Sequence, residues 1–284
     1  MLVTGASGQL GRCIRDIAPA AEYVFTDLPE LNVCDESAVA AALGRSGITA
    51  VINCAAFTDV EGAERRCDEA WKLNAEAPGM LARLCAERNI VLIHVSTDYV
   101  FDGLSGSPYS ESAVPAPKSV YGRTKLAGEK AVEESGADYV IVRTSWLYSE
   151  YGRNFVRTML RLGDKEDAVR VVNDQTGSPT YASDLARFII RLLNEAPDFR
   201  GTVNYSGSGE CTWYELARTL LEGRRAGVEP CTTAQYGAAA PRPAYSVLAP
   251  ALAESLCPGS VRPWREALKR CLARIEETES KTER

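Results

Sequence analysis

Apolar residues fall along the first half of this chain in two kinds of segment. Short, nearly continuous apolar runs stand at Leu2–Thr4, Tyr23–Thr26, Ala50–Cys54, Ile90–Ser96 and Tyr139–Ser145. Between them, apolar positions recur at helical spacing over Gln9–Ile17, Ala38–Gly44, a long stretch Asp68–Arg88, and Ser119–Glu134. Ser37 is placed to cap the second of these helices, and Pro78 to kink the third. Strands without polar alternation are covered on both faces, and strands separated by helices pair in parallel. The pattern predicts an α/β fold, a doubly wound parallel sheet of the Rossmann type.

Past Ser145 the pattern loosens. Helices are expected over Asn154–Leu162, Ala182–Asn194, Trp213–Gly223 with Thr212 as cap, and Pro263–Ile275. Val169–Val172 reads as a short strand and Thr202–Tyr205 as one more strand of the sheet. Asp174–Thr180 and the segment around Pro241-Arg-Pro243 read as loops. The charged tail 276–284 is expected to fray.

Composition narrows the function class. The 284 residues are 45% hydrophobic and 25% charged, an ordinary globular balance with ample core. A net charge of −6 argues against nucleic acid or an anionic membrane as partner, while a pocket can still be locally positive. No apolar stretch is long enough to span a bilayer, and the chain opens directly on a strand, short enough that a residue or two could be missing. Nine scattered cysteines without a Cys-x-x-Cys pair read as reduced thiols of a cytoplasmic protein. The single histidine, His94, lies inside an apolar strand and reads as a core residue, which leaves a His-based triad or metal centre without its parts.

The run Gly5-Ala-Ser-Gly8-Gln-Leu-Gly11 follows the first strand and opens the first helix. Glycines there permit a tight turn and close approach of a pyrophosphate, which the helix N-terminus favours. The spacing is Gly-x-x-Gly-x-x-Gly rather than Gly-x-Gly-x-x-Gly, and a plain βα turn is the alternative. Gly5, Ser7, Gly8, Gln9 and Leu10 are the candidate phosphate-side contacts. Asp27 closes the second strand, where a carboxylate accepts from adenosine ribose hydroxyls and favours NADH over its 2′-phosphorylated form. Arg12, beside the loop, could instead meet a 2′-phosphate, and Asp27 could be a turn residue.

Tyr121-Gly-Arg-Thr-Lys125 places a phenol and an ammonium on one helical face. A nearby cation lowers a phenol pKa from about 10, which would suit Tyr121 to acid–base work. Thr97, in Ser96-Thr-Asp-Tyr99 at the end of the fourth strand, adds a hydroxyl able to bind a carbonyl oxygen. Ends of parallel strands face the ligand crevice of such folds.

With these residues in place the chain resembles the extended, sugar-nucleotide-acting branch of the short-chain dehydrogenase/reductases, and within it the dTDP-4-dehydrorhamnose reductases. The motifs are Gly8-Gln-Leu-Gly11, Asn53-Cys-Ala-Ala56 with Thr58-Asp-Val60, Ser96–Gly103, Tyr121–Glu129, Arg143–Tyr148, Asn154-Phe-Val156, Asp174–Thr180, Thr212-Trp213, and Arg242-Pro243 with Ser246. The resemblance covers nearly the whole chain and thins after about Thr219.

It implies NADPH or NADH as cofactor and a dTDP-4-keto-6-deoxysugar as substrate, reduced at C4. Thr97, Tyr121 and Lys125 would be catalytic, with Tyr121 the proton donor. Ala55, Ala56 and Thr58 would line the cofactor beside Tyr121 and Lys125. Thr97, Asp98, Tyr99, Tyr121, Trp146, Asn154 and Arg242 would contact the substrate. Trp146 would wall the sugar pocket or pack a domain interface, and Arg242 would clamp the diphosphate or hold a loop. Asn74 would support the active-site helix or make a helix-surface contact. The domain division it implies is 1–145 and 181–207 for NAD(P), and 146–180 and 208–275 for a small discontinuous substrate-binding region.

Some family members form a metal-bridged dimer through acidic residues. Here Cys13 and Tyr181-Ala-Ser183 replace most of them, leaving Asp184 as a poor hard-cation site. The expectation is a monomer or a homodimer without bridging metal. Asn32-Val33 replaces a more usual acidic residue near the adenine. Two other readings remain: an epimerase or dehydratase, for which Asp98 is available, and a regulatory subunit resembling the beta subunit of methionine adenosyltransferase.

Overall fold

The computed structural model describes residues 1–282, with side chains to Ser280. Its centre is a six-stranded sheet: β1 (Leu2–Thr4), β2 (Val24–Phe25), β3 (Ala50–Asn53), β4 (Val91–Thr97), β5 (Tyr139–Thr144) and the strand Gly201–Asn204. Their order is β2-β1-β3-β4-β5 and then Gly201–Asn204, every pair parallel. The chain leaves β1 toward β2 and returns on the other side to β3, so a switch point lies between β1 and β3. Ligands bind outside the carboxyl ends of strands at such a point.

Continuous apolar strands are explained by two covered faces. Val3, Ile52, Ile93 and Val142 pack with Leu10 and Ile14 of helix α1 (Gln9–Ile17) and with Leu185 and Phe188 of the helix Ala182–Glu195. Their strand neighbours Leu2, Val51, Leu92 and Ile141 face the other way, against Val39, Leu81, Cys85 and Val132. Adjacent residues thus serve opposite cores, as a period of two requires. A further core joins Tyr148, Val156, Met159, Val171, Leu216, Leu220, Trp264, Leu268 and Cys271 in the C-terminal half.

Several boundaries differ from the pattern reading. The helix Glu36–Leu43 is capped by Asp35, whose carboxylate accepts from Ala38 N, rather than by Ser37. The long stretch is three pieces: Cys67–Trp71, a π-helical turn Lys72–Glu76, and Ala77–Ala86. Pro78 sits in the first turn of the last piece, directly after the π-helical turn, and has no N–H to donate to that preceding turn. The irregularity is the π-turn before it, and it carries the Asn74 carbonyl against Gly128, whose missing Cβ leaves the room. A helix Val60–Arg65, capped by Asp59, was not expected.

The Asp174–Thr180 loop contains two short pairings. Thr176–Gly177 joins Cys211–Thr212 antiparallel, and Thr180–Tyr181 joins Leu147–Tyr148 in parallel. Ala168–Val172 pairs with an unexpected parallel strand, Gly227–Cys231. The segment expected to fray is helical as far as it is described. The last helix runs Trp264–Thr282, and Arg274 lies near Asp16 and Glu150 at 4.0 and 3.7 Å. Residues 283 and 284 lie outside the described residues. No helix among those described is long and apolar enough to cross a membrane.

Candidate active site

Gly5 takes φ +63°, and a Cβ there would come within 2.6 Å of Ala55 N. Only glycine lets the first loop press this closely on the end of β3. Gly8 then precedes α1, and no side chain caps that helix. Its first-turn N–H groups open onto a cleft of about 660 Å³ that runs from this loop across the sheet ends.

The cleft gathers most of the predicted residues. Gly5, Ser7, Gly8, Gln9, Leu10, Asp27, Ala55, Ala56 and Thr58 line one part; Thr97, Asp98, Tyr99, Tyr121, Lys125, Trp146 and Asn154 line the rest. A cavity of this size and mixed lining suits a dinucleotide together with part of a second ligand. The uncapped helix end and glycine cradle fit a pyrophosphate.

At the end of the cleft beside β2 the Asp27 carboxylate accepts from Ser7 N and Leu28 N, each at 2.8 Å. It therefore fixes the glycine loop and also faces the cleft. Leu28, Leu31, Asn32 and Val33 complete this end, without a cation. Arg12 points elsewhere, its guanidinium 4.0 Å above the Tyr151 ring, and it does not line the cleft.

At the other end Ser119 caps the helix Val120–Glu133 through Gly122 N, presenting Tyr121 and Lys125 one turn apart beneath the end of β4. Thr97 Oγ1 donates to Asp98 Oδ1 at 3.0 Å and accepts from Tyr99 N at 3.2 Å. The Tyr99 ring stands edge-on to Tyr121, centroids 5.5 Å apart. Gly122 is required here because a Cβ would strike the Tyr99 carbonyl.

The charge relations differ from the sequence expectation. Burial raises the Tyr121 phenol above its ordinary value, Thr97 acts in the opposite sense, and Asp98 and Tyr99 push it further up. Lys125 does not lower it. The Lys125 ammonium is turned onto the Val95 carbonyl at 2.7 Å and lies 3.4 Å from His94 Nε2. Burial brings Lys125 itself down to about 8, with Glu129 and Cys54 acting in the opposite sense. Tyr121 is thus held in the protonated form, the form that can give a proton. Asp98 is pushed up to about 6 by burial, against the hydrogen bond that Thr97 donates to it.

Trp146 occupies the far wall. Its backbone has φ +47°, rare for a bulky residue and held by what surrounds it. Its indole lies flat on Trp213, centroids 3.6 Å and planes 6° apart, with Phe155 tilted against Trp213 at 4.6 Å. Gly177 lies beneath it, where a Cβ would come within 2.5 Å of the indole Nε1.

Asn154 borders the cleft with its polar groups engaged. Its oxygen accepts from Arg157 N, capping the helix Phe155–Lys165, and its amide donates to Gln9 Oε1 at 2.9 Å. Arg242 is the one predicted site residue outside the cleft lining. Its Nη2 contacts Glu61 Oε1 at 3.0 Å, while its Nε is buried with no partner among the described residues. Asn74 is fully buried. It accepts from Phe57 N at 2.8 Å and donates to Phe57 O and Thr124 Oγ1, so it ties the motif helix to the loop after β3 rather than lying on a helix surface.

Sequence reading gave no site role to Trp213, Gly177, Glu129 or His94. Trp213 was visible as half of a Thr-Trp motif; Gly177 and Glu129 act through packing partners that no spacing displays.

A family model described as the RmlD substrate binding domain matches residues 1–277. The chain belongs to the RmlD family. Among solved structures it is similar to a Clostridium acetobutylicum dTDP-4-dehydrorhamnose reductase, with TM-score 0.92 and 39% identity, covering 97% of this chain and 99% of that one. It is similar also to the Bacillus anthracis dTDP-4-dehydrorhamnose reductase solved in complex with NADP, with TM-score 0.91 and 36% identity, covering 96% and 98%. A Streptomyces niveus dTDP-4-keto-6-deoxy-D-glucose reductase is 39% identical over 98% of both chains. These relatives differ in the sugar they are named for.

Proposed function

We propose that this protein is an NAD(P)H-dependent reductase of a dTDP-linked 4-keto-6-deoxyhexose, with dTDP-4-dehydrorhamnose as substrate and dTDP-L-rhamnose as product. The observation that carries the reading is the placement of Thr97, Tyr121 and Lys125 at one end of a single cleft whose other end is the Gly5–Gly11 cradle. A bound reduced nicotinamide would supply the hydride for C4. As the ketone oxygen gains charge, Tyr121 donates the proton and Thr97 a second hydrogen bond. Lys125 steadies the cofactor ribose hydroxyls, and Trp146 walls the sugar. Arg242 reaches the diphosphate only by exchanging its Glu61 contact, which makes Glu61 the group that holds it meanwhile. The division into a cofactor-binding part, 1–145 with 181–207, and a substrate-binding part, 146–180 with 208–275, belongs to this reading, as does a monomer or metal-free homodimer in the cytoplasm.

A second substrate has specific support. The Streptomyces niveus relative is named for dTDP-4-keto-6-deoxy-D-glucose, at an identity equal to that of the Clostridium protein. Offering each 4-keto sugar with NADH and then NADPH, and following loss of the reduced-nicotinamide absorbance, separates the two. Turnover of the rhamnose precursor at the higher kcat/KM supports the reading; oxidation of neither cofactor with either sugar would sink it.

A further inference from the structure

Three strands carry a row of polar side chains toward Lys125. Thr4 on β1 stands opposite Asn53 on β3, and Asn53 opposite His94 on β4. All three are buried. The Asn53 Oδ1 accepts from Thr4 Oγ1 at 2.7 Å and from Ala55 N at 3.2 Å. A backbone N–H can only donate, so this fixes which end of the Asn53 amide is oxygen. Its Nδ2 therefore faces His94 Nδ1, at 3.1 Å, and donates to it. A neutral imidazole that accepts at Nδ1 carries its hydrogen on Nε2. That Nε2–H is aimed at Lys125 Nζ, 3.4 Å away.

An ammonium has three hydrogens and no lone pair, whereas a neutral amine has a lone pair to accept with. We propose that His94 is a positioning residue whose Nε2–H disfavours the ammonium of Lys125 and stabilises its neutral amine, so that the lysine gives up a proton near physiological pH. Burial keeps the ring itself neutral, since both desolvation and Lys125 lower the His94 pKa well below its usual value. The other titratable groups around Lys125 are Tyr121 and Glu129 on its own helix and Cys54 past β3. Glu129 is held by Arg143, so it does not fully offset the effect. The role bears on the proposed reduction because Lys125 adjoins the proton donor, but the device can be measured without substrate.

His94 is the chain's only histidine, so ¹⁵N-histidine labelling gives one imidazole to observe. The NMR spectrum of the free protein is expected to show the Nε2–H tautomer, with ring shifts that move as Lys125 titrates near pH 8 and stay fixed in Lys125→Met. His94→Leu should move the lysine midpoint upward by roughly one unit, read from ¹⁵Nζ-labelled lysine. His94→Gln, whose amide can accept from Asn53 and donate to Lys125, should restore it. An Nδ1–H tautomer, or a downward shift in His94→Leu, would overturn the proposal. If His94→Leu does not fold, the wild-type tautomer and the glutamine variant still decide it. Loss of reductase activity alone bears on the function and leaves these readouts unchanged.

Discussion

Glu129 and Arg143 form a buried ion pair: Arg143 Nη2 is 2.7 Å from Glu129 Oε2, and Nε is 3.0 Å from Oε1. The glutamate lies one turn beyond Lys125 on the motif helix and the arginine lies on β5, so the pair clamps the helix that carries Tyr121 to the sheet. Arg143 also donates to Glu111 O, and its guanidinium faces the Phe101 ring at 5.2 Å.

Removing one partner of such a pair leaves the other charge buried and alone. Glu129→Ala should therefore cost about 3–5 kcal/mol of unfolding free energy, measured by urea denaturation. Arg224→Ala, which loses a surface contact with Asp164, should cost about 0–1 kcal/mol. Equal effects would show that the clamp contributes nothing beyond a surface pair.

Asp98 has a folded pKa of about 6 against an ordinary 3.8. Between these values the folded protein holds a proton that the unfolded chain has released. Stability therefore falls as pH rises from about 4 to about 6, by about 3 kcal/mol. Asp98→Asn should lack this decline when unfolding free energies of the two proteins are compared across that window. A parallel pH dependence in both would place the titration elsewhere.

Gly177 leaves the space that the Trp146 indole fills. Gly177→Ala should push the indole off Trp213, changing the tryptophan fluorescence and raising KM for the sugar nucleotide by roughly 10-fold, about 1.4 kcal/mol. Affinity for the cofactor, measured by titration without substrate, should hold, because the glycine loop is untouched. An unchanged KM with an altered fluorescence would make the stack structural only.

The order of the central strands and their helices, the glycine loop, and the shared helix face of Tyr121 and Lys125 were readable because each rests on local spacing. Leu2–Thr4 and Gln9–Ile17 appear in the structure with the boundaries expected. What escaped rests on contacts distant in sequence. The π-turn at Lys72–Glu76 is defined by how Asn74 meets Phe57, Thr124 and Gly128. The last helix continues past Ile275 with Asp16 and Glu150 near Arg274. Spacing put Lys125 beside Tyr121, yet its nitrogen turns to Val95 and His94, because a buried N–H donor needs an acceptor and the Val95 carbonyl is at hand. His94 read as a core residue, and it is buried; only the strand register shows that it joins Asn53 to Lys125.

Tyr121→Phe keeps the ring, its contact with Tyr99, and the helix, and removes only the hydroxyl. It should lower kcat by roughly 10²–10⁴-fold while leaving cofactor affinity within a few fold, as stopped-assay kinetics and fluorescence titration would show. A Thr97→Val variant should fall in the same direction by a smaller factor. Retention of full kcat in Tyr121→Phe would remove that residue as proton donor.

Isotope transfer tests the central claim most directly. The protein is incubated with dTDP-4-dehydrorhamnose and a reduced nicotinamide carrying deuterium at its transferable position, and the sugar product is examined by proton NMR. The account predicts dTDP-L-rhamnose with deuterium at C4 and the H4 resonance absent. Unchanged substrate, or deuterium at any other carbon, would contradict it.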